Sequence, residues 1–390
     1  MSPNTGPTRI AYLDGIRAVA IGAVLALHWL SWYVPLFRGG SIGVDLFFVL
    51  SGFIITTVLW RQSTSGSAPS AWWTFVKRRF VRLYPALLGF VVLTVVLYTV
   101  VPEAPVSGGL VAERGVIVLT QLSAVWLAFS ANGIFTPDLN PFGQTWSLAL
   151  EWYAYLLWPV VVLVARRRGV GARRLMRWTL SAAALSFVIS LPLSDAWFYF
   201  GPAARFSEIL VGGALALFFA SGGSPARPGR AASVLASSAL VMVGAYTLLA
   251  PHASSDLYRF IGVPVTVLAA VVLIFVGHGG AGGAAYRLLA HPWVATLGRY
   301  SYSLYLWHMV PVLLLQHASP VVPKPLLGLA AAGAALLLTV LSYHLLERPF
   351  LRSRSAELRS LGPSGRAAPP SQSTEPADPD QAARPSGASG

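Results

Sequence analysis

The sequence predicts an all-α fold: a polytopic membrane helix bundle of about ten transmembrane helices plus a re-entrant or interfacial segment. Three observations predict it. Hydrophobic residues make up 55% of the 390-residue chain and charged residues only 11%, whereas a soluble domain is nearer a quarter charged. Mean hydropathy is +0.63. The apolar residues also fall into repeated runs of about 20, the length a helix needs to cross a bilayer.

In chain order these runs are 11–33, 43–60, 84–102, 113–130, 145–165, 178–192, 205–220, 232–250, 258–277, 297–316 and 326–346. The first could pass for a signal peptide, but it is long, has no clear cleavage site after it and carries Arg17 and His28 inside, so it is read as retained. Charge decides which runs cross, because Lys and Arg in short loops lie on the cytoplasmic side. The basic loops are 61–83 (Arg61, Lys77, Arg78, Arg79, Arg82) and 166–177 (Arg166, Arg167, Arg168, Arg173, Arg174, Arg177). If 113–130 crosses, these loops fall on opposite sides. If it dips in and returns, both lie inside, with Arg227, Arg230, Arg287 and Arg299. The short inner loops then carry fifteen basic residues, against five outside at Arg38, Arg114, Arg205, Arg259 and Lys324. The expectation is a multi-pass protein of the cytoplasmic membrane with ten crossings, both termini cytoplasmic and a re-entrant segment near 113–130.

Residues 1–350 read as one membrane domain. Residues 351–390 are rich in Pro, Ser, Gly, Ala and charge, cannot bury a core and are expected to form a disordered cytoplasmic tail. No fixed-period repeat is visible. The chain has no cysteine, which excludes disulfides, thiolate metal sites and a cysteine acyl-enzyme. The net charge of +14 would suggest nucleic acid in a soluble protein. In a membrane protein it reads as a basic skirt against anionic lipid and as possible sites for a phosphate-rich substrate; no nucleic acid is expected.

Arg17 and His28 lie eleven residues apart in the first run. On a helix that is about three turns, so they share a face and sit roughly 16 Å apart along the axis. Ionisable groups at membrane depth mark functional sites by default; the plainer alternative is an anchoring Arg17 and a satisfied buried imidazole. Asp45 and Glu151 each begin a span on the outer side, at the depth expected of His28. A carboxylate orienting an imidazole makes a general base for a hydroxyl nucleophile, although either acid could simply cap its helix. Arg79 and Arg82 are three apart and share a face. With Arg17 they suit the phosphates of a nucleotide carrier, or ordinary inner-face anchoring. Arg205 and Glu208 stand at i,i+3 and read as a neutralising pair. Trp146, Tyr153, Tyr305 and His308 are candidate substrate contacts.

Two generic motifs carry no weight. Gly39–Gly43 matches G-x-S-x-G but lies between two membrane helices rather than on a strand–helix elbow. His252 to Asp256 spells H-x-x-x-D in a short outer loop. No Walker loop, H-E-x-x-H or metal-ligand cluster is present, so no metal is expected.

The residues quoted so far resemble the acyltransferase 3 family of integral membrane acyltransferases, over residues 9–352. Arg17 to His28 look like its Arg/Lys-x10-His motif. Gly43-Val44-Asp45-Leu46-Phe47-Phe48-Val49-Leu50-Ser51-Gly52-Phe53 is similar to its second-helix signature, and Arg79-x-x-Arg82 before Leu83-Tyr84-Pro85 to its Arg-x-x-Arg loop. Trp146-Ser147-Leu148 with Glu151, then Ser301 to His308, then Leu346-Glu347-Arg348-Pro349-Phe350 complete the set. One departure is that Leu150 precedes Glu151 and Trp152 follows it, where the family usually has a pair of acids. Some members append a further span and an extracytoplasmic hydrolase-like domain; here a tail is expected, so any two-stage transfer would need a separate protein.

The resemblance implies O-acyl transfer to bacterial surface sugars, other polysaccharides or macrolides. No cofactor would be tightly bound; acetyl-CoA or another acyl-CoA would serve as co-substrate. His28 would be catalytic, with Asp45 or Glu151 orienting it and Arg17, Arg79 and Arg82 holding the cofactor phosphates. The acceptor would be a sugar or macrolide hydroxyl. The alternative is a transporter or flippase of a lipid-linked sugar, since intramembrane charges also mark translocation paths. Lack of an internal repeat counts against it.

Overall fold

The computed structural model describes residues 11–31, 33–62, 67–102, 104–130, 138–315 and 322–350. The expected tail, 351–390, lies outside the described residues. In chain order the α-helices are α1 (Ala11–Leu25), α2 (Ile42–Arg61), α3 (Ala68–Val100), α4 (Gly108–Leu119), α5 (Ser123–Ser130), α6 (Trp146–Arg167), α7 (Ala172–Ser190), α8 (Asp195–Phe200), α9 (Pro202–Ala220), α10 (Arg230–Leu249), α11 (Val263–His278), α12 (Gly283–Leu289), α13 (Pro292–Trp307), α14 (Val310–Leu315) and α15 (Lys324–Ser342). Single π-helical turns extend α1 (Ala26–Leu30), precede α11 (Tyr258–Gly262) and extend α15 (Tyr343–Glu347). No strand occurs among the described residues. The all-α membrane bundle is therefore the observed fold.

Eight helical stretches among the described residues, built on α1, α2, α3, α6, α9, α10, α11 and α15, are long and apolar enough to cross a membrane. Two more crossings follow from direction. Gly40 meets the backbone of Ala23 and Gly43 that of Ala20, so α1 and α2 are antiparallel. Ser51 bonds Glu151 and Thr56 bonds Trp158, so α6 runs with α2. Asp45 meets Arg205 and Thr56 meets Gly213, so α9 also runs with α2. α7 must return the chain between α6 and α9, although Arg173, Arg174 and Arg177 make its start too polar to qualify alone. Arg17 meets Ser301 and His28 meets His308, so the 16-residue α13 runs with α1. Ten crossings result among the described residues.

Helix direction also fixes how 113–130 lies. α3 runs with α13, since Leu83 meets Tyr302 and Phe90 meets Trp307. α3 therefore opposes both α2 and α6, and α4 with α5 must enter and leave on one side. These two helices meet at a bend of 115°. At the tip, Gln121 has φ 60°, and freed carbonyls need donors because lipid supplies none. Tyr84 OH donates to Leu119 O and Tyr153 OH to Gln121 O, each at 2.7 Å. The re-entrant segment expected from charge is present.

One boundary differs from expectation. The basic stretch 61–83, read as a loop, is helical from Ala68, making α3 33 residues long. Ser67 Oγ accepts from the Ser70 N–H at 3.3 Å and Pro69 stands in the first turn, both helix-start signals. Lys77 to Arg82 therefore extend a membrane helix instead of forming a loose skirt.

α2 is the axis of the bundle. It packs on α1, α6, α9 and α11 and is buried along most of its length, as suits a helix apolar all round. Its closest partner is α9. A Cβ on Gly52 would fall 1.8 Å from Ile209 O, and one on Gly212 1.9 Å from Val49 O. Small residues at such crossings let membrane helices approach closely.

Candidate active site

Three helix faces build the site. Val44, Phe47, Phe48 and Ser51 follow i, i+3, i+4, i+7 spacing on α2. Ser147, Glu151 and Tyr155 follow i, i+4, i+8 on α6. Ser301, Tyr305 and His308 follow i, i+4, i+7 at the end of α13. Such spacings align side chains on one helix face.

Arg17, Val44, Phe47, Phe48, Ser147, Leu148, Glu151, Ser301, Tyr302 and Tyr305 line a cavity of about 40 Å³. At its N-terminal end, with respect to α1, Arg17 Nε donates to Ser301 Oγ at 3.1 Å, with its guanidinium 5.6 Å from the Phe47 ring centre. Glu151 accepts from Ser51 Oγ and, at 3.4 Å, from Tyr155 OH. Arg17, Arg79, Arg82 and Glu151 all act electrostatically on Tyr155. The Arg79 guanidinium lies 5.2 Å from the Tyr155 ring centre and 5.3 Å from that of Phe75. The structure thus brings together the three arginines picked out by spacing, with Glu151 among them.

Tyr305 closes the other end of the cavity. Its OH donates to Gln144 O at 2.9 Å, so Ser147 Oγ, 2.7 Å away, donates to the phenol oxygen. Beyond it stand the two histidines. The Tyr305 and His308 ring centres are 5.5 Å apart, and those of His308 and His28 are 4.9 Å apart. His28 Nδ1 lies 3.0 Å from His308 Nε2. Trp29 Nε1 donates to His308 O at 3.0 Å. His28 and Trp29 occupy the π turn that ends the first span, a distortion frequent at functional sites.

Two expectations are corrected. Neither Asp45 nor Glu151 orients His28; the imidazole beside it is His308. Glu151 lies among the arginines, beyond the cavity from His28. Asp45 is on another face of α2, toward α9 and α11. There it accepts from Arg205 Nη1 at 2.5 Å and from Tyr258 OH at 2.9 and 3.0 Å, all fully buried. Arg205 also bonds Glu208 at 2.6 Å, as the i,i+3 reading proposed, and lies 5.8 Å from the Trp146 ring centre. Of the four expected substrate contacts, Tyr305 alone lines the cavity. Trp146 packs on Tyr199 and Arg205, Tyr153 caps the re-entrant tip, and His308 pairs with His28. Sequence reasoning passed over Ser51, Ser147, Tyr155 and Ser301, which their helical spacing from Phe47, Glu151 and Tyr305 would have revealed.

Residues 10–344 match a family model described as an acyltransferase domain. The chain belongs to the acyltransferase 3 family. Of the motifs quoted from the sequence, Arg17 to His28, Arg79-x-x-Arg82, Ser147 with Glu151, and Ser301 to His308 contribute residues to this polar column, whereas Asp45 packs away from it. Among its relatives, the chain is 29% identical over 360 residues to peptidoglycan O-acetyltransferase OatA of Listeria monocytogenes, covering 87% of this chain and 56% of that protein. It is 30% identical over 358 residues to the putative peptidoglycan O-acetyltransferase YrhL of Bacillus subtilis, covering 86% and 54%. A putative O-acetyltransferase of Staphylococcus aureus is 25% identical over 321 residues, covering 77% and 50%. The chain therefore spans about half the length of these curated relatives. No solved structure matches it.

Proposed function

We propose that this acyltransferase 3 member moves an acyl group, acetyl in the first instance, from acyl-CoA to a hydroxyl of a cell-envelope carbohydrate. The observation that carries the reading is the column itself: an arginine cluster at one end, a histidine pair at the other, a small cavity between. The names of the relatives, peptidoglycan O-acetyltransferases, support the carbohydrate acceptor. A macrolide glycoside offers the same sugar hydroxyl and is a second acceptor to assay.

The basic end faces the cytoplasm under the positive-inside rule, where acyl-CoA is made. Arg17, Arg79 and Arg82 bind its phosphates, for which guanidinium forks are suited. The thioester enters the cavity toward Tyr305, and displacement of that ring opens it to His28. His28 takes the proton of the acceptor hydroxyl as the new O–C bond forms and the C–S bond breaks. The departing thiolate then recovers that proton from the imidazolium, so the site returns to its starting state. The same displacement frees the hydroxyl hydrogens of Ser147 and Tyr305 from their resting acceptors, the Tyr305 oxygen and Gln144 O, to donate to the oxyanion of the tetrahedral intermediate.

The test is transfer of labelled acetyl from acetyl-CoA to a soluble glycan fragment by the purified protein in liposomes, with His28→Ala alongside. Activity lost in a well-folded His28→Ala supports the proposal. A wild-type protein that moves a lipid-linked sugar across the bilayer without acylating it would establish the transporter reading instead.

A further inference from the structure

His308 is placed for a task other than touching substrate. α13 ends at Trp307, and its last backbone bond runs from the His308 N–H to Leu304 O. The carbonyls of a helix's final turn have no partner within the helix, which leaves Tyr305 O and His308 O open. The His308 ring turns back, and its Nδ1 lies 2.8 Å from Tyr305 O. A carbonyl oxygen only accepts, so this Nδ1 carries a hydrogen, and neutral His308 presents a bare Nε2.

That bare nitrogen is 3.0 Å from His28 Nδ1. Two lone pairs at this distance would repel, so His28 Nδ1 carries the hydrogen between them. Neutral His28 then has its only free lone pair on Nε2. His28 Nδ1–H donates to His308 Nε2, with the Val24 carbonyl one turn back a second acceptor for the His28 ring, and His308 Nδ1–H donates to Tyr305 O. Trp29 Nε1, one residue along from His28, donates to His308 O at 3.0 Å. The end of α1 is thereby tied to the break after α13 through both side chain and backbone.

We infer that His308 is a positioning residue that fixes the tautomer and ring orientation of His28, making Nε2 the nitrogen that accepts the acceptor's proton. A buried imidazole anchored on a main-chain carbonyl does here what a carboxylate does in a Ser-His-Asp triad. The role in catalysis rests on the proposed acyl transfer; the tautomer does not.

The experiment has two readouts. The first is ¹⁵N NMR of histidine-labelled protein in detergent. The chain has seven histidines, and the His28 signals are assigned by their loss in His28→Ala. At neutral pH, wild-type His28 should show a protonated Nδ1 and a bare Nε2. In His308→Ala it should revert toward the Nε2–H form that free imidazole side chains favour. The second is kinetics. His308→Ala should lower kcat about 100-fold or more, as loss of an orienting group does, with the KM for acyl-CoA unchanged. His308→Gln, whose amide oxygen can accept from His28 Nδ1–H, should recover at least about tenfold of that loss. Size-exclusion profiles matching wild type qualify both variants. A wild-type His28 protonated at Nε2, or a tautomer unchanged in His308→Ala, overturns the inference. So does an effect confined to the acceptor KM, which marks a substrate contact. The expected tautomer in a protein that transfers no acyl group would refute the proposed function and leave the histidine pairing standing.

Discussion

Arg17 of α1 is held by Ser301 of α13: its Nε donates to Ser301 Oγ at 3.1 Å and to Gly298 O at 3.4 Å. The remaining N–H groups of its guanidinium are not used by that contact. The side chain is thus anchored through one nitrogen and presented at the cavity by the others. Arg82, Glu151 and Asp14 are its charged neighbours. Replacing Arg17 by Ala should raise the KM for acyl-CoA about 10- to 100-fold, the worth of one or two hydrogen bonds to a charged group. Lys keeps the charge but not the planar fork, and should recover only part of the loss. Initial rates against acyl-CoA concentration in proteoliposomes measure both; an unchanged KM would remove Arg17 from the donor site.

The α2–α9 contact makes a prediction about folding alone. Because Ile209 O stands where a Gly52 Cβ would be, Gly52→Val must push the two helices apart. Overpacking costs about 1–3 kcal/mol, and more where backbone is the obstacle. Gly244 on α10 has open space around its missing Cβ, so Gly244→Ala should hold or raise stability by about 0.5–1 kcal/mol, since glycine is a poor helix residue. Thermal unfolding in detergent should therefore show a lowered midpoint for the first variant and none for the second. Equal midpoints would mean that α2 and α9 are not closely docked.

Crossing number was legible in the sequence because lysine and arginine gather in alternate loops, a signal that averages over many residues. The re-entrant segment was legible for the same reason, since a further crossing would have put Arg79 and Arg166 on opposite sides. Azimuth was not legible. Asp45 and Phe47 are two residues apart, yet one faces Arg205 and the other faces Arg17; an all-apolar helix carries no moment to say which face meets which neighbour. Depth was only half legible. Glu151 opens the fourth full span, but α6 begins at Trp146 and carries Glu151 more than a turn inward, down to Ser51. The partner of His28 was hidden because it comes from 280 residues away, across a helix break that no spacing rule connects to α1.

Absence of native cysteine gives a clean background for testing orientation. Single substitutions Arg168→Cys, between α6 and α7, and Asp256→Cys, between α10 and α11, lie at opposite ends of the bundle. A membrane-impermeant maleimide should label position 256 in intact spheroplasts and position 168 only after the membrane is opened. Ser107→Cys and Asp138→Cys flank the re-entrant pair and should both label like position 256. If 107 and 138 label from opposite sides, α4 and α5 form a crossing and not a re-entrant segment.

Asp45 and Arg205 supply the last prediction, which separates a structural pin from a catalytic acid. Arg205 is fully buried and bonds two carboxyl groups, with its Nε on Tyr199 O at 3.0 Å. Removing one member of a buried ion pair costs about 3–5 kcal/mol, because the partner is left unpaired in a medium that cannot solvate it. Arg205→Leu strands both Asp45 and Glu208, so it should yield little monodisperse protein. Asp45→Asn is milder: the amide can still accept from Tyr258, and Arg205 keeps Glu208 as its counter-charge. It should fold with a lowered melting midpoint and lose less than about tenfold in transfer rate, far short of the 10²–10⁴-fold expected for a general base such as His28. Size-exclusion yield, melting and rate on the same samples decide the matter. A folded Asp45→Asn with no transfer would place that carboxylate back in the chemistry, and would require a path from it to the histidine pair that the present packing does not contain.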